Sequence, residues 1–419
     1  MTYVTGFLTK ALGIACHLVE NQNERIEINY GNGSVEGAIN IFASGLMAET
    51  GIRNMTPQIK REGPVIWLFP APRNFNFPFD LLSAVFYLLS RYEEYLPYTP
   101  DHHGRFEAKQ SISSRDSFLM EPVIDQWLEM LRSELKKKFP DLLFVPRKFI
   151  FRSTIDIDNP WAYAHRGILR SSGSIARDAL RLNFRNILKR MGVYSGLAED
   201  PFDVYDYINK TENRFGFQSV FFFLSGGYGQ FDTNYSLHTA HFKNLVNKIS
   251  RTHEVGIHPS LKSNTGDGLL FKEYQRFTRI LGSRPQKSRQ HFLMVKFPET
   301  YRKLNSLGIK NDYSMGYASS CGFRAGTTLP FNFYDLGTEQ ETNLVIHPFA
   351  IMDVTLRQYL NLNPAEALTY SLEILKKVKA VNGVFTILWH NESLSERGEW
   401  QGWRNVFEGI INESVASSE

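Results

Sequence analysis

Cysteine is scarce: Cys16 and Cys321 are the only two in 419 residues. Two thiols make neither a disulfide framework nor a CxxC site, and they fit a reducing compartment. Long apolar runs are missing as well, and nothing approaches the ~18 residues of a membrane span. The first twenty residues do not read as a secretory leader, which needs ~7–15 apolar residues behind a basic start. Their longest apolar run, 11–16, is bracketed by Lys10 and His17. A strong charge imbalance is also absent: 47 Lys and Arg against 43 Asp and Glu give +4, too small an excess to imply nucleic-acid binding. What is present is 42% hydrophobic and 21% charged residues, the balance of a globular protein. At ~100–200 residues per domain the length predicts two or three domains.

The first third mixes short strand-like runs (26–30 and 65–69) with a helix that starts after Pro78-Phe79-Asp80. In that helix Leu81, Val85, Leu88 and Leu89 share one face. A second helix is expected over 123–138, ended by Phe139-Pro140-Asp141. We expect a domain boundary near 145, giving an α/β domain over 1–145 and a second domain over 146–419. In the second, strand-like runs at 149–157, 218–224, 254–258, 291–295, 345–349 and 384–389 alternate with helical stretches. This rhythm argues for an α/β fold with a parallel sheet, whose chemistry sits at the carboxyl ends of the strands.

The charge is uneven. Residues 166–190 hold seven Lys or Arg and one Asp, net +6, so the remainder nets −2. Arg177, Arg181, Arg185 and Lys189 recur every four residues, one stripe of a continuous helix. A solvated face is the ordinary explanation; an anionic surface such as lipid headgroups or an acidic glycan is the functional one.

Chemistry-bearing residues fall at the strand ends. Thr154, Asp156 and Asp158 alternate along one strand and so face the same way. Two like carboxylates there coexist if a cation sits between them or if one is held by a basic partner. His258 ends a short strand at Pro259, and His291 follows Arg289-Gln290. Arg324 lies beside Gly322 and Gly326-Thr327, Asp353 follows Ile351-Met352, and Trp389-His390 ends an apolar run. Histidine and carboxylate together suit a borderline metal such as zinc. A lone DxD also occurs in glycosyltransferases that use a metal-bound sugar nucleotide.

In their order, TIDIDN, HEVGIHPS, RQHFL, DYSMGYASSCGFRAGT, MDVTL and LWHNE resemble the NodB-type polysaccharide deacetylases, carbohydrate esterase family 4, although most of that family has adjacent Asp residues where this chain has DxD. SRYEEYLPY resembles the extra N-terminal domain of one bacterial branch. The resemblance covers roughly 148–395. It implies a distorted (β/α) barrel preceded by a smaller α/β domain. It implies a divalent metal, most simply zinc, held by Asp158, His258 and a third group. Asp156 resembles the catalytic base, Arg324 the arginine paired with that base, His390 the general acid, and Asp353 the carboxylate that orients it.

The family's second histidine, four residues after the first, is Lys262 here, and an ammonium cannot ligate a cation. His291 is the candidate replacement; His253, five residues before His258, faces the other side of the strand. Trp161, Tyr317 and Trp389 are candidate sugar-stacking rings, and Gly326 and Thr327 candidate oxyanion donors.

The expected activity is removal of acetyl groups, N-acetyl first, from a glycan or lipid-linked saccharide. It would take place in the cytoplasm or peripherally at the inner membrane face. Two other readings stay open: a DxD glycosyltransferase, and a glycan-binding protein with a decayed site, which Lys262 supports.

Overall fold

The computed structural model describes residues 1–19, 27–63, 65–227, 229, 232, 236–264, 266 and 268–416. Contacts group the chain into two compact units that interleave in sequence. One comprises 1–150, 293–351 and 373–386; the other comprises 151–292, 352–372 and 387–419. Contact grouping is a different property from autonomous folding, and the division into 1–145 and 146–419 stays an expectation. The architecture is mixed α/β.

In the first unit, the helix Leu81–Leu89 begins where the Asp80 carboxylate accepts the Ser83 N–H at 2.9 Å, a standard N-cap. Its apolar residues are buried on nearly every side, which accounts for a sequence with few polar positions. It ends there because Arg91 adopts a left-handed φ of 54°, and Tyr92–Tyr95 then form a 3-10 turn. The second helix spans Val123–Lys138, as read from the sequence. Trp127 on it donates to Ile66 O at 2.9 Å.

Three strand groups complete this unit. Ile28–Gly31 pairs in parallel with Ile39–Phe42, and Ile59–Glu62 forms a hairpin with Val65–Leu68. Gln340–Pro348 lies between antiparallel Phe331–Asp335 and parallel Asn311–Met315. Cys16 is exposed, Cys321 is buried, and both are free thiols.

The second unit holds the strands that position the site. Ile150–Ile157, Ser219–Leu224, Val255–His258 and the two-residue Lys287–Ser288 pair in parallel, each beside the next in the chain. The order runs one way without reversing, and Val384–His390 flanks Ile150–Ile157 on the other side. Because all four parallel strands point the same way, their carboxyl ends gather the loops that carry chemistry.

Two expectations need correction here. Residues 291–295 are not a strand. His291–Leu293 is a tight turn in which Phe292 and Leu293 have φ of 57° and 54°, a left-handed backbone that no strand admits. The run was apolar because Leu293, Met294 and Val295 are buried. Nor is the basic segment one helix. Ile168–Leu180 and Phe184–Tyr194 are two helices, separated at Leu182 (φ 53°), with Asn183 capping the second. The stripe from Arg177 to Lys189 is therefore split between them. Among the described residues, no helix is long and apolar enough to cross a membrane.

Candidate metal centre

The Ile150–Ile157 strand delivers Asp156 in its last turn of the pleat and Asp158 one residue past its end. The adjacent Val255–His258 strand ends in His258, and the turn after Lys287–Ser288 presents His291. One ligand atom each from Asp158, His258 and His291 lies within 4.8 Å of the others. His258 Nε2 is 3.3 Å from Asp158 Oδ1, and His291 Nε2 is 3.5 Å from Asp158 Oδ2. Ligand atoms on ~2.1 Å bonds at tetrahedral angles stand about 3.4 Å apart, so the spacing suits one small cation.

The outer nitrogens are already committed. His258 Nδ1 lies 2.6 Å from Arg289 O and donates to it, because a carbonyl only accepts. His291 Nδ1 lies 2.8 Å from Asp232 Oδ1, which also accepts the Leu261 N–H at 3.1 Å. With Nδ1 held in each ring, Nε2 is turned to the centre, the usual arrangement around a metal-bound imidazole. Asp158 Oδ1 is buried without a hydrogen-bond partner, and Asp156 Oδ1 has the Arg289 guanidinium at 3.4 Å but no hydrogen bond. Buried carboxylate oxygens left in that state are costly, and a cation would satisfy them. The donor set of two imidazoles and a carboxylate fits zinc better than a hard cation.

Burial pushes the His291 imidazolium down, but Asp158 and Asp232 outweigh this and raise its pKa to about 9. Burial pushes the Asp158 carboxyl up, and His291 and His258 outweigh it, holding Asp158 well below the ordinary carboxylate range.

His390 closes another side. Its Nε2 is 4.0 Å from Asp158 Oδ2, while its Nδ1 is 2.8 Å from Asp353 Oδ1. Asp353 is fully buried; it also accepts the His390 N–H at 2.7 Å and the Ser393 hydroxyl. Burial lowers the His390 pKa and Asp353 raises it by more, to about 10, so this ring is an imidazolium near neutral pH.

Asp156 has an arginine beside it, and that arginine is Arg289. Its Nη1 lies 3.4 Å from Asp156 Oδ1, and its Nη2 donates to Thr154 Oγ1 at 2.8 Å. The guanidinium lies over the Phe222 ring, 4.8 Å from the centroid. That ring fits against Gly256, where an added Cβ would meet it at 2.5 Å. Arg324, the residue the resemblance pairs with the base, belongs to the first unit. There it donates to both Glu94 oxygens and to Gly316 O, and it is buried.

The remaining expected residues are placed as follows. Thr327 is fully buried in the first unit and donates to Asp125 Oδ2 at 2.8 Å. Gly326 takes a φ of 67° there, packed on Leu88. The Tyr317 hydroxyl accepts from Arg91 at 3.0 Å, and the ring is buried. Trp389 is fully buried against Trp403 and Phe407, so it is core and presents no free ring face. Trp161 is buried, edge-on to His165. Lys262 is exposed on the 3-10 turn Leu261–Asn264. His253 is bound to Glu212 at 2.6 Å, away from the cluster.

Sequence reasoning missed the roles of Arg289 and Asp232, and Asn159 with Glu392. Asn159 donates to Glu392 Oε1 at 2.6 Å beside the site. Burial and Asp158 both push the Glu392 carboxyl up, against the Asn159 bond. Arg289 stood two residues before His291, and that adjacency was the signal available. Asp232 lies in a stretch with no periodicity to mark it.

Residues 1–140 match the model of a family described as a family of unknown function, DUF7033. No curated protein matches the chain. Among solved structures, a Mycobacterium smegmatis chain assigned as a polysaccharide deacetylase is similar at 16% identity and a TM-score of 0.42, over 66% of this chain and 87% of that one. A polysaccharide deacetylase from Bacillus cereus is similar at 13% identity and a TM-score of 0.31, over 64% and 89%. A GH57 branching enzyme from Thermococcus kodakaraensis is similar at 8% identity and a TM-score of 0.36, over 64% and 69%. At such values the side chains of the site have to carry the functional reading.

Proposed function

We propose that this chain is a zinc-dependent hydrolase that removes acetyl groups, N-acetyl first, from a glycan or a lipid-linked biosynthetic intermediate. The observation that carries the reading is the juxtaposition of three potential ligands with a separate carboxylate and a separate imidazolium. Asp158, His258 and His291 surround one point, Asp156 stands beside it on Arg289, and His390 stands beside it on Asp353. Hydrolysis of an amide needs these three functions at once: activation of the carbonyl and water, a base, and an acid for the leaving amine.

A divalent ion at Asp158, His258 and His291 supplies Lewis-acid activation of a carbonyl and of a water molecule when bound. Asp156 is the proton acceptor for the attacking water, with Arg289 fixing its orientation. His390 is the proton donor to the departing amine, and Asp353 holds it charged and aimed. The one-way order of parallel strands is how a (β/α) barrel winds, and it supports the distorted barrel that the sequence motifs imply.

The test is acetate release from N-acetylglucosamine oligomers by zinc-loaded protein, with Asp156→Asn and His258→Ala as comparisons. Release should need the metal and fall by ~10²-fold or more in each variant. Full activity after chelation, or in His258→Ala, would end the reading.

A further inference from the structure

Between Ala164 and Asp200 the second unit extends a helical hairpin. Its base is tied at one carboxylate: Asp200 accepts the N–H groups of Ala162, Tyr163 and Ala164 at 2.7–2.8 Å, and that of Phe202 at 3.0 Å. The two helices are held together by Arg190, which pairs with Asp178 at 2.8 Å. Arg190 also lies over the Tyr163 ring, 4.7 Å from its centroid. The excursion is therefore a fixed element. It leaves from the carboxyl end of the strand that carries Asp156.

Its outer face has the wrong polarity for a solvated helix. Phe184, Leu188 and Met191 lie at i, i+4 and i+7, one face of the second helix, and are 61%, 72% and 51% exposed. At the turn, Leu180 is 87% and Leu182 75% exposed. Leu182 holds a left-handed backbone (φ 53°), a conformation normally left to glycine or asparagine. An apolar side chain is thus presented at the tip at a conformational cost.

The basic residues flank this face. Arg185 and Lys189 lie at i and i+4 alongside Phe184 and Leu188, and Arg177 and Arg181 lie just before the tip; all four are exposed. The segment 166–190 carries +6 in a chain whose remainder nets −2.

We infer that the hairpin Ile168–Tyr194 docks on an anionic lipid surface, with Leu180, Leu182, Phe184 and Leu188 entering the interface and Arg177, Arg181, Arg185 and Lys189 meeting the headgroups. An apolar stripe rimmed by arginine and lysine is the composition of an interfacial helix. Charge selects the occupant. A second copy would bring two +6 segments face to face. A polyanion in water would leave the leucines uncovered. The inference does not depend on the proposed chemistry.

Co-sedimentation of the full chain with vesicles tests it. Phosphatidylcholine vesicles with about one third phosphatidylglycerol should bind at least about tenfold more protein than pure phosphatidylcholine. Leu182→Ser with Leu188→Ser should lower that binding about tenfold, by loss of buried apolar area. Arg181→Glu with Arg185→Glu should abolish the preference for anionic vesicles. All four side chains are exposed, so the variants should melt with the parent, and circular dichroism confirms that they fold. Equal binding to both vesicle types, no binding to either, or variants that bind like the parent would each overturn the inference. So would a dimer that dissociates in the Leu182→Ser, Leu188→Ser variant without any vesicle binding, since the occupant would then be a second copy.

Discussion

Arg289 Nη1 lies 3.4 Å from Asp156 Oδ1, and Arg289 O receives the Nδ1–H of His258. One residue thus orients both the proposed base and a proposed ligand, through its side chain and its backbone. Only the side-chain half is open to substitution. Arg289→Lys keeps a charge but loses the planar fork that reaches Asp156 and Thr154 together. We expect kcat for acetate release to fall about 10–100-fold, with zinc content unchanged because the His258 contact is to the backbone. Equal loss of zinc and activity would place Arg289 in the metal site.

Asp232 acts on the centre through His291. Its carboxylate holds Nδ1 at 2.8 Å, which fixes the ring and leaves Nε2 for the centre. Asp232→Asn should weaken zinc binding about 10–100-fold, the usual effect of removing a partner behind a ligating histidine. His291→Ala should weaken it more. Competition against a chromophoric chelator measures both. If His291→Ala binds zinc as tightly as the parent, His291 is not a ligand.

Glu94 sits buried between Arg91 and Arg324, 2.8 Å from Arg91 Nε. Removing its charge leaves the buried Arg324 guanidinium without a carboxylate, while Arg91 keeps Glu93 at 2.8 Å, and breaking such a buried pair costs about 3–5 kcal/mol. Glu94→Gln should therefore move the urea midpoint of unfolding sharply downward. The pH dependence follows from the same group. Burial raises the Glu94 carboxyl, but Arg324 and Arg91 outweigh it and hold it below the ordinary value. The unfolded chain then binds the proton more readily. The contribution is present in full above the unfolded value, ~4.3, and is lost as pH falls through the lower folded one. Urea titrations between neutral pH and that acid range should show the parent losing more stability than Glu94→Gln, which keeps the other depressed carboxylates such as Asp158.

The parts legible in the sequence were those with local periodicity. The strands at 219–224, 255–258 and 384–390 and the helix Val123–Lys138 stood out as apolar runs or amphipathic faces. Asp158 and His258 were visible as polar residues at the end of such a run and His291 at the start of an expected strand at 291–295, and the three converge as one candidate triad. Arg324 shows why the rest was not. Its glycine-rich neighbourhood resembles a catalytic loop, but its partner Glu94 is 230 residues away and carries no mark in the sequence. Trp389 reads as a ring beside a site, yet alternation along the strand turns it into the Trp403–Phe407 core while the next residue, His390, faces out. At 291–295, burial without extension looked like a strand because apolar composition does not report a left-handed φ.

The strongest single consequence of the site concerns stability. Asp158 Oδ1 is buried without a hydrogen-bond partner, beside two imidazoles already fixed from behind. Zinc bound at this candidate site in the folded state, and hardly at all in the unfolded chain, would stabilise the fold. At a free zinc concentration of about 100 times Kd the gain is about 2.7 kcal/mol. Thermal melts of chelated protein should therefore shift upward on adding zinc, and less with magnesium, which prefers six oxygen ligands. Asp158→Ala supplies the decisive comparison. It removes the carboxylate that both histidines face, so it should melt at the same temperature with and without zinc. A zinc-induced shift that survives in Asp158→Ala would show that the ion binds elsewhere on the chain.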